Sequence, residues 1–250
     1  MSAFAFLLGA IFGSFLNVLI ARIPLGQSIM FPGSHCSACK KPIKWYHNIP
    51  ILSYIALGGK CRECKARISP VYIIVELVSA AVFMLVFYKS PNIFYALCVS
   101  ISFGLLLALS VIDIRYKEVP DSINLSAFAA AVAAGMFHAP MPTFVNLISL
   151  LEFGKSAFLL AGFFVMLRFV LSYFLKKESL GEADIIVAAT LGALLGSMNG
   201  FFAIFVGALL SLVPAFIYRK KGISEVAFVP YLALGGFAVF MLRPQLWFMG

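Results

Sequence analysis

The chain has 250 residues, of which 62% are hydrophobic and only 12% are charged. A soluble domain carries about 25% charged residues, and a folded chain of this size still exposes a large surface to its solvent. The composition therefore excludes a cytosolic enzyme, a secreted disulfide scaffold and a disordered chain, and it predicts a multi-pass membrane protein. The net charge of +9 is explained by Lys and Arg in cytoplasmic loops, so no nucleic-acid partner is expected.

The first apolar segment, residues 3–20, has no basic residue before it and no clear small-residue cleavage site after it. A secretory signal needs both features. The first basic residue, Arg22, follows the segment. This order predicts an uncleaved first helix whose N-terminus lies outside the cell and whose end lies in the cytosol.

Apolar windows of helix length recur along the chain and predict an all-α polytopic membrane protein with about eight transmembrane helices. The predicted spans are residues 3–20, 72–88, 93–112, 122–138, 155–175, 184–198, 200–218 and 225–242. Threading them with the N-terminus outside places 15 of the 19 Lys and Arg residues in cytosolic loops and three on the outer side. This asymmetry supports the predicted orientation.

The loop between the first two spans is the one candidate for a soluble domain, because it is polar, rich in turn-forming residues and holds four of the five cysteines. We therefore expect three parts: a first transmembrane helix at residues 1–20, a cytosolic zinc-binding domain at residues 21–71, and a multi-helix membrane domain at residues 72–250.

Two C-x-x-C pairs lie in this loop, with 21 residues between them. The predicted ligands are Cys36, Cys39, Cys61 and Cys64. Four thiolates can close a tetrahedral shell around one zinc ion, which predicts a structural site without an open position for catalysis. Disulfides are less expected, since the loop is predicted to be cytosolic. A redox pair would more often be single and lie beside a βαβ pattern.

Two aspartates from distant segments are predicted at the same membrane edge: Asp113 ends one apolar run and Asp184 begins another. Carboxylates beside membrane spans are costly and are commonly functional. Two adjacent carboxylates can share a proton and hydrolyse a peptide bond, as aspartyl proteases do. The alternative is that each aspartate caps a helix or pairs with a loop Lys or Arg. Asp121 is expected to cap the next span, and Glu118 and Glu182 to be solvated.

Several motifs along most of the chain resemble those of one family. They are residues 13–18 with Arg22-Ile23-Pro24, residues 45–50 between the cysteine pairs, Asp113 with Val119-Pro120-Asp121, Gly181-Glu182-Ala183-Asp184, and residues 228–233. Together they resemble the type IV prepilin peptidases, which are bifunctional membrane enzymes among the G-x-G-D aspartyl proteases. One departure is Ala183, which stands where the family has its second Gly.

The resemblance implies two reactions at the cytosolic face of the bacterial inner membrane. The enzyme would remove the leader peptide from a type IV prepilin or pseudopilin, with Asp113 and Asp184 as the catalytic pair. It would then methylate the new N-terminal residue with S-adenosylmethionine, a step that involves the zinc-binding loop. Asn48, Lys60 and Arg67, together with Glu76, are polar candidates for the second step, although a solvated or loop-stabilising role explains them too.

Other functions remain open from the sequence. A related intramembrane aspartyl protease without methyltransferase activity ranks first among them. A transporter is less expected, because its carboxylates would lie near the midplane and its helices would be broken in pairs. A catalytically silent scaffold is kept open by Ala183.

Overall fold

The computed structural model describes residues 2–90, 92–138, 147–176, 181–220 and 226–242. Within these residues the regular structure is helical and contains no strand, which confirms the predicted all-α class. The α-helices are α1 (Ser2–Arg22), α2 (Leu52–Ala56), α3 (Val71–Lys89), α4 (Ile93–Tyr116), α5 (Asp121–Met136), α6 (Leu147–Leu175), α7 (Glu182–Leu195), α8 (Ser197–Lys220) and α9 (Val229–Leu242).

Each of the eight predicted spans coincides with one of the helices other than α2. Five of these helices, α1, α3, α4, α6 and α8, are long and apolar enough to cross a membrane. The chain is therefore a multi-pass membrane protein. The helices α5, α7 and α9 have 16, 14 and 14 residues. A helix of 14 residues is about 21 Å long, which is shorter than the roughly 30 Å hydrocarbon layer, so the total of about eight spans stays a prediction.

The helix α6 begins eight residues earlier than its predicted start at residue 155. Its added segment includes Glu152, and Lys155 follows it; both side chains are exposed. A hydropathy window ends at such charges, but Glu and Lys are good helix formers, so the backbone continues as a helix past the apolar stretch.

The first compact unit, Met1–Tyr88, contains α1, the cysteine-rich loop and α3. The helices α1 and α3 meet at the pair Gly9 and Gly13, which form a G-x-x-x-G motif. A Cβ atom added at Gly9 would lie 2.7 Å from the Cα atom of Ala80, and one added at Gly13 would lie 2.7 Å from the Cα atom of Glu76. Small residues at this spacing let two membrane helices approach closely. Nearer the loop, the Asn17 side chain donates a 2.9 Å hydrogen bond to the carbonyl oxygen of Tyr72.

The second compact unit, Lys89–Gly250, is a bundle of the helices α4 to α9. Here α4 packs against α5 and α9, and α7 packs against α5, α6, α8 and α9. Glycines again allow close crossings: a Cβ atom at Gly207 of α8 would lie 2.8 Å from the carbonyl oxygen of Tyr231 in α9. The three-part division at residues 20 and 71 that the sequence suggests stays a prediction.

Candidate active site and metal centre

The four predicted cysteine ligands come together. The sulfur atoms of Cys36, Cys39, Cys61 and Cys64 all lie within 4.8 Å of one another. The Sγ atoms of Cys36 and Cys64 are 3.8 Å apart. A tetrahedral zinc site with Zn–S bonds of about 2.3 Å places neighbouring sulfurs about 3.8 Å apart, so the cluster fits a zinc ion without rearrangement of the fold.

Both C-x-x-C segments form the same kind of turn. In the first, the Lys40 N–H donates to the Cys36 carbonyl at 2.9 Å, and in the second the Lys65 N–H donates to the Cys61 carbonyl at 3.0 Å. Lys40 and Lys65 both have a φ of 59°. These paired turns bring the four sulfur atoms close together. An exposed ion pair, Lys41 Nζ to Glu63 Oε2 at 3.0 Å, joins the two turns.

The four thiols are not equivalent. The backbone N–H groups of Cys39 and Ala38 donate to Cys36 and lower its pKa to about 6. At Cys64 the hydrogen bond from the Ala66 N–H acts in the same direction, but desolvation and the hydrogen bonds that the Cys64 thiol donates to the other three sulfurs outweigh it and raise the pKa to about 11. Because metal binding requires thiolates, coordination of an ion by the four cysteines releases protons.

Glu76 connects α3 to this loop. Its side chain is 9% exposed, and its Oε2 atom accepts a 2.7 Å hydrogen bond from the Ile51 N–H. Ile51 has φ 64° and ψ −54°, and a 2.6 Å hydrogen bond from the Leu52 N–H to the Pro50 carbonyl spans it. This is a γ-turn of the strained, positive-φ kind. The geometry supports a loop-stabilising role for Glu76, one of the two readings that the sequence leaves open.

Asp113 lies near the C-terminal end of α4 and is 7% exposed. Its Oδ2 atom accepts a 3.1 Å hydrogen bond from the Val229 N–H, at the N-terminus of α9. A helix N-terminus carries unsatisfied N–H groups and a partial positive charge, both of which favour a carboxylate. The motif at residues 228–233 thus contributes a helix start that binds Asp113. The sequence shows the motif but not this contact, because it joins residues 116 positions apart.

Asp184 lies in the first turn of α7. Its Oδ2 atom accepts a 3.2 Å hydrogen bond from the Gly181 N–H. A Cβ atom at Gly181 would lie 3.3 Å from that oxygen, so glycine leaves room for the carboxylate to fold back. Asp184 therefore caps its own helix, as the alternative interpretation expects. Capping uses one oxygen of the group and is compatible with chemistry at the other.

The two aspartates come from helices of one bundle, since α4 and α7 both pack against α5 and α9. Among the described residues neither carboxylate forms a salt bridge; the ion pair at this end of the bundle joins Arg168 to Glu182 at 3.0 Å. Pairing with a loop Lys or Arg is thus not observed for either aspartate in the described part of the chain.

The neighbouring residues refine two expectations. Asp121 is the first residue of α5, whose N-cap is Pro120, and no side chain caps this helix. The expected capping role of Asp121 is therefore wrong, because proline at the preceding position places Asp121 inside the first turn. Asn124, which the sequence analysis does not single out, is completely buried and donates a 3.0 Å hydrogen bond from Nδ2 to the Ala183 carbonyl.

Fold and site together define a multi-pass membrane protein with a four-cysteine loop and two aspartates held at helix N-termini. Comparison with known proteins names the family. Residues 7–90 match the bacterial Peptidase A24 N-terminal domain, and residues 100–216 match the Type IV leader peptidase family. The chain belongs to the type IV leader peptidase family.

Three relatives illustrate the similarity. The chain is 33% identical to the Type 4 prepilin-like proteins leader peptide-processing enzyme of Escherichia coli O78:H11, over 94% of this chain and 91% of the relative. It is 29% identical to the prepilin leader peptidase/N-methyltransferase of Neisseria gonorrhoeae, over 97% and 91%. It is 36% identical to the Klebsiella pneumoniae protein of the same name, over 78% and 85%. No solved structure matches the chain.

Proposed function

We propose that this chain cleaves the leader peptide of type IV prepilins or pseudopilins with Asp113 and Asp184, and then methylates the new N-terminal residue. Its relatives are named for both activities. The observation that carries the proposal is the position of the two carboxylates: they lie on helices of one bundle, and each accepts a hydrogen bond from the backbone at a helix N-terminus.

This arrangement supports peptide cleavage by general acid and base catalysis. Two carboxylates that approach each other closely cannot both ionise easily, and in the proposed mechanism Asp113 and Asp184 share one proton. The ionised group takes a proton from a water molecule, which attacks the scissile carbonyl carbon, while the protonated group donates to the carbonyl oxygen and later to the leaving amine. The hydrogen bonds from the Val229 and Gly181 N–H groups hold the Oδ2 atoms of Asp113 and Asp184, and so orient both groups for these transfers.

Zinc would stabilise the loop rather than take part in hydrolysis. Cys36, Cys39, Cys61 and Cys64 would hold the ion with a closed shell of four thiolates, which leaves no position for water or substrate. The relatives' N-methyltransferase name implies S-adenosylmethionine as the methyl donor. No described residue is assigned to it.

The orientation is also a proposal. The charge asymmetry supports an N-terminus outside the inner membrane, with the cysteine-rich loop and the aspartates at the cytosolic side. A cytosolic position would bring the aspartates to the junction between a polar leader and an apolar substrate helix.

Initial rates of prepilin cleavage in proteoliposomes test the catalytic pair. We expect Asp113→Asn and Asp184→Asn each to lower the rate at least about a thousandfold, since each change removes one of the two carboxyl groups that accept and donate protons during cleavage. Asp121→Asn is the matched control, because Asp121 is exposed in the first turn of α5, and it should cleave at the wild-type rate. Cleavage by either catalytic variant at more than a tenth of that rate would overturn the assignment.

A further inference from the structure

We propose that Asn124 is a positioning residue for peptide cleavage, which fixes the first turn of α7 and therefore Asp184 relative to Asp113. The inference rests on the proposed function of the two aspartates. Asn124 lies on α5, the helix that packs against both α4 and α7.

A side-chain hydrogen bond connects Asn124 to the turn that carries Asp184, and the chain itself connects α5 to the end of α4 that carries Asp113. The helix α4 ends with a 3.0 Å hydrogen bond from the Lys117 N–H to the Asp113 carbonyl. The helix α5 begins just after this turn, and there the Asn124 N–H donates to the Pro120 carbonyl at 3.1 Å. The side-chain Nδ2 of Asn124 donates to the Ala183 carbonyl at 3.0 Å. Ala183 immediately precedes Asp184, so this side chain links the start of α5, which follows α4 and Asp113 in the chain, to the turn that carries Asp184.

The amide at position 124 is a poor choice for stability alone. Asn124 is completely buried in a helical interface, and its Oδ1 atom has no hydrogen-bond partner among the described residues. Burying an unsatisfied polar atom costs free energy that an apolar side chain of similar volume would avoid. Its orientation is nevertheless determined, because a flipped amide would place Oδ1 against the Ala183 carbonyl oxygen. A geometric requirement at the aspartates accounts for an amide at this place.

Asn124→Leu tests the role with a side chain of similar size. The Ala183 carbonyl keeps its place in the hydrogen bonding of α7, so we expect the thermal unfolding midpoint to stay at or above that of the wild type. We expect kcat for prepilin cleavage to fall about 10- to 100-fold with little change in KM, because small displacements of catalytic groups have effects of this size. The matched control is Ser102→Ala, which removes a buried 2.9 Å hydrogen bond from α4 to the Ala127 carbonyl of α5 and should leave kcat unchanged.

Asn124→Asp gives a readout that a purely structural role would not move. The ionised carboxylate that this substitution introduces cannot donate to the Ala183 carbonyl, whereas the protonated acid can. We therefore expect kcat relative to wild type to rise at least about tenfold as the pH falls from about 8 to about 5. For Asn124→Leu, the ratio of kcat to the wild-type kcat should not change with pH. The wild type and both variants share the other ionisable groups of this region, so these groups do not alter the kcat ratio. They are Asp113, Asp184 and the Arg168–Glu182 pair.

The sign of this effect separates it from simple charge repulsion. An added negative charge near the pair would favour protonated carboxylates, and would therefore extend activity to higher pH and reduce it at lower pH. Loss of the hydrogen-bond donor to the Ala183 carbonyl has the opposite effect, because it reduces activity at high pH and spares it at low pH. The proposal is overturned if Asn124→Leu keeps wild-type kcat, if both variants lose kcat only in proportion to a lower folded fraction, or if Asn124→Asp is favoured at high pH. Cleavage by Asp184→Asn would instead overturn the proposed function itself. Measuring this variant beside the Asn124 variants therefore distinguishes failure of the proposed function from failure of the proposal for Asn124.

Discussion

At the scale of single residues, Ala183 decides how the second aspartate motif is to be interpreted. The position lies in the first turn of α7, and Ala183 is not among the residues with positive φ. A helical backbone accepts alanine better than glycine, by up to about 1 kcal/mol. The departure from G-x-G-D therefore does not distort the turn that carries Asp184.

Ala183→Gly measures the effect of that departure. We expect cleavage within about threefold of the wild-type rate, together with a small loss of stability of about 0.5–1 kcal/mol, because glycine in a helix loses more backbone entropy on folding. The measurements are prepilin cleavage rates and thermal unfolding in detergent. An increase of about tenfold or more in cleavage would mean that the methyl group of Ala183 obstructs the site.

The strained turn at Ile51 and its partner Glu76 make a second prediction at this scale. Glu76→Leu removes the acceptor of the Ile51 N–H and should lower stability by about 1–3 kcal/mol. Ile51→Gly removes the strain of positive φ at a β-branched residue. If the carboxylate holds this turn, Glu76→Leu should cost less stability in the Ile51→Gly background than it costs in the wild-type chain. A double-mutant cycle of unfolding free energies checks this, and strict additivity would contradict the coupling.

At the scale of helices, close crossings locate the start of α9. Gly207 lies against Tyr231 and Leu232, just after Val229, whose N–H binds Asp113. Gly207→Leu should displace this helix start and lower prepilin cleavage about tenfold or more, because there is no room for a side chain. Gly162→Leu is the matched control, since Gly162 in α6 has no atom within 4 Å of its Cβ position. Equal rates for the two variants would contradict a role for this crossing.

The eight helices other than α2 could be predicted from the sequence because each follows from a local apolar pattern. The four cysteines could be predicted together because their spacing alone indicates one metal site. Two hydrogen bonds could not be predicted from the sequence, because each depends on the packing of helices that are far apart in the chain. They join Val229 to Asp113 and Asn124 to Ala183. The cap expected at Asp121 failed for a local reason, because Pro120 takes the N-cap position.

At the scale of the whole molecule, the chain divides into two compact units. The cysteine cluster belongs to the first and the aspartates to the second. Two treatments test whether the sites are separate: removal of zinc by a chelator, and the double variant Cys39→Ser with Cys64→Ser. Each should abolish the metal content and reduce methylation at least about tenfold, while the rate of cleavage stays near that of the wild type. Metal analysis and the two activities measured in parallel check this. Cys98→Ser, in α4, is the control and should retain both activities; parallel loss of both activities on zinc removal would contradict separate sites.

The most direct test of the central claim is the N-terminal mass of a type IV pilin after incubation with this protein and S-adenosylmethionine in membranes. Wild type should convert a prepilin to a product that lacks the leader and carries one added methyl group. Asp184→Asn should leave the prepilin intact but still methylate a pilin supplied without its leader. Release of the mature pilin by Asp184→Asn, or an intact prepilin with wild type, would contradict a peptidase built on Asp113 and Asp184.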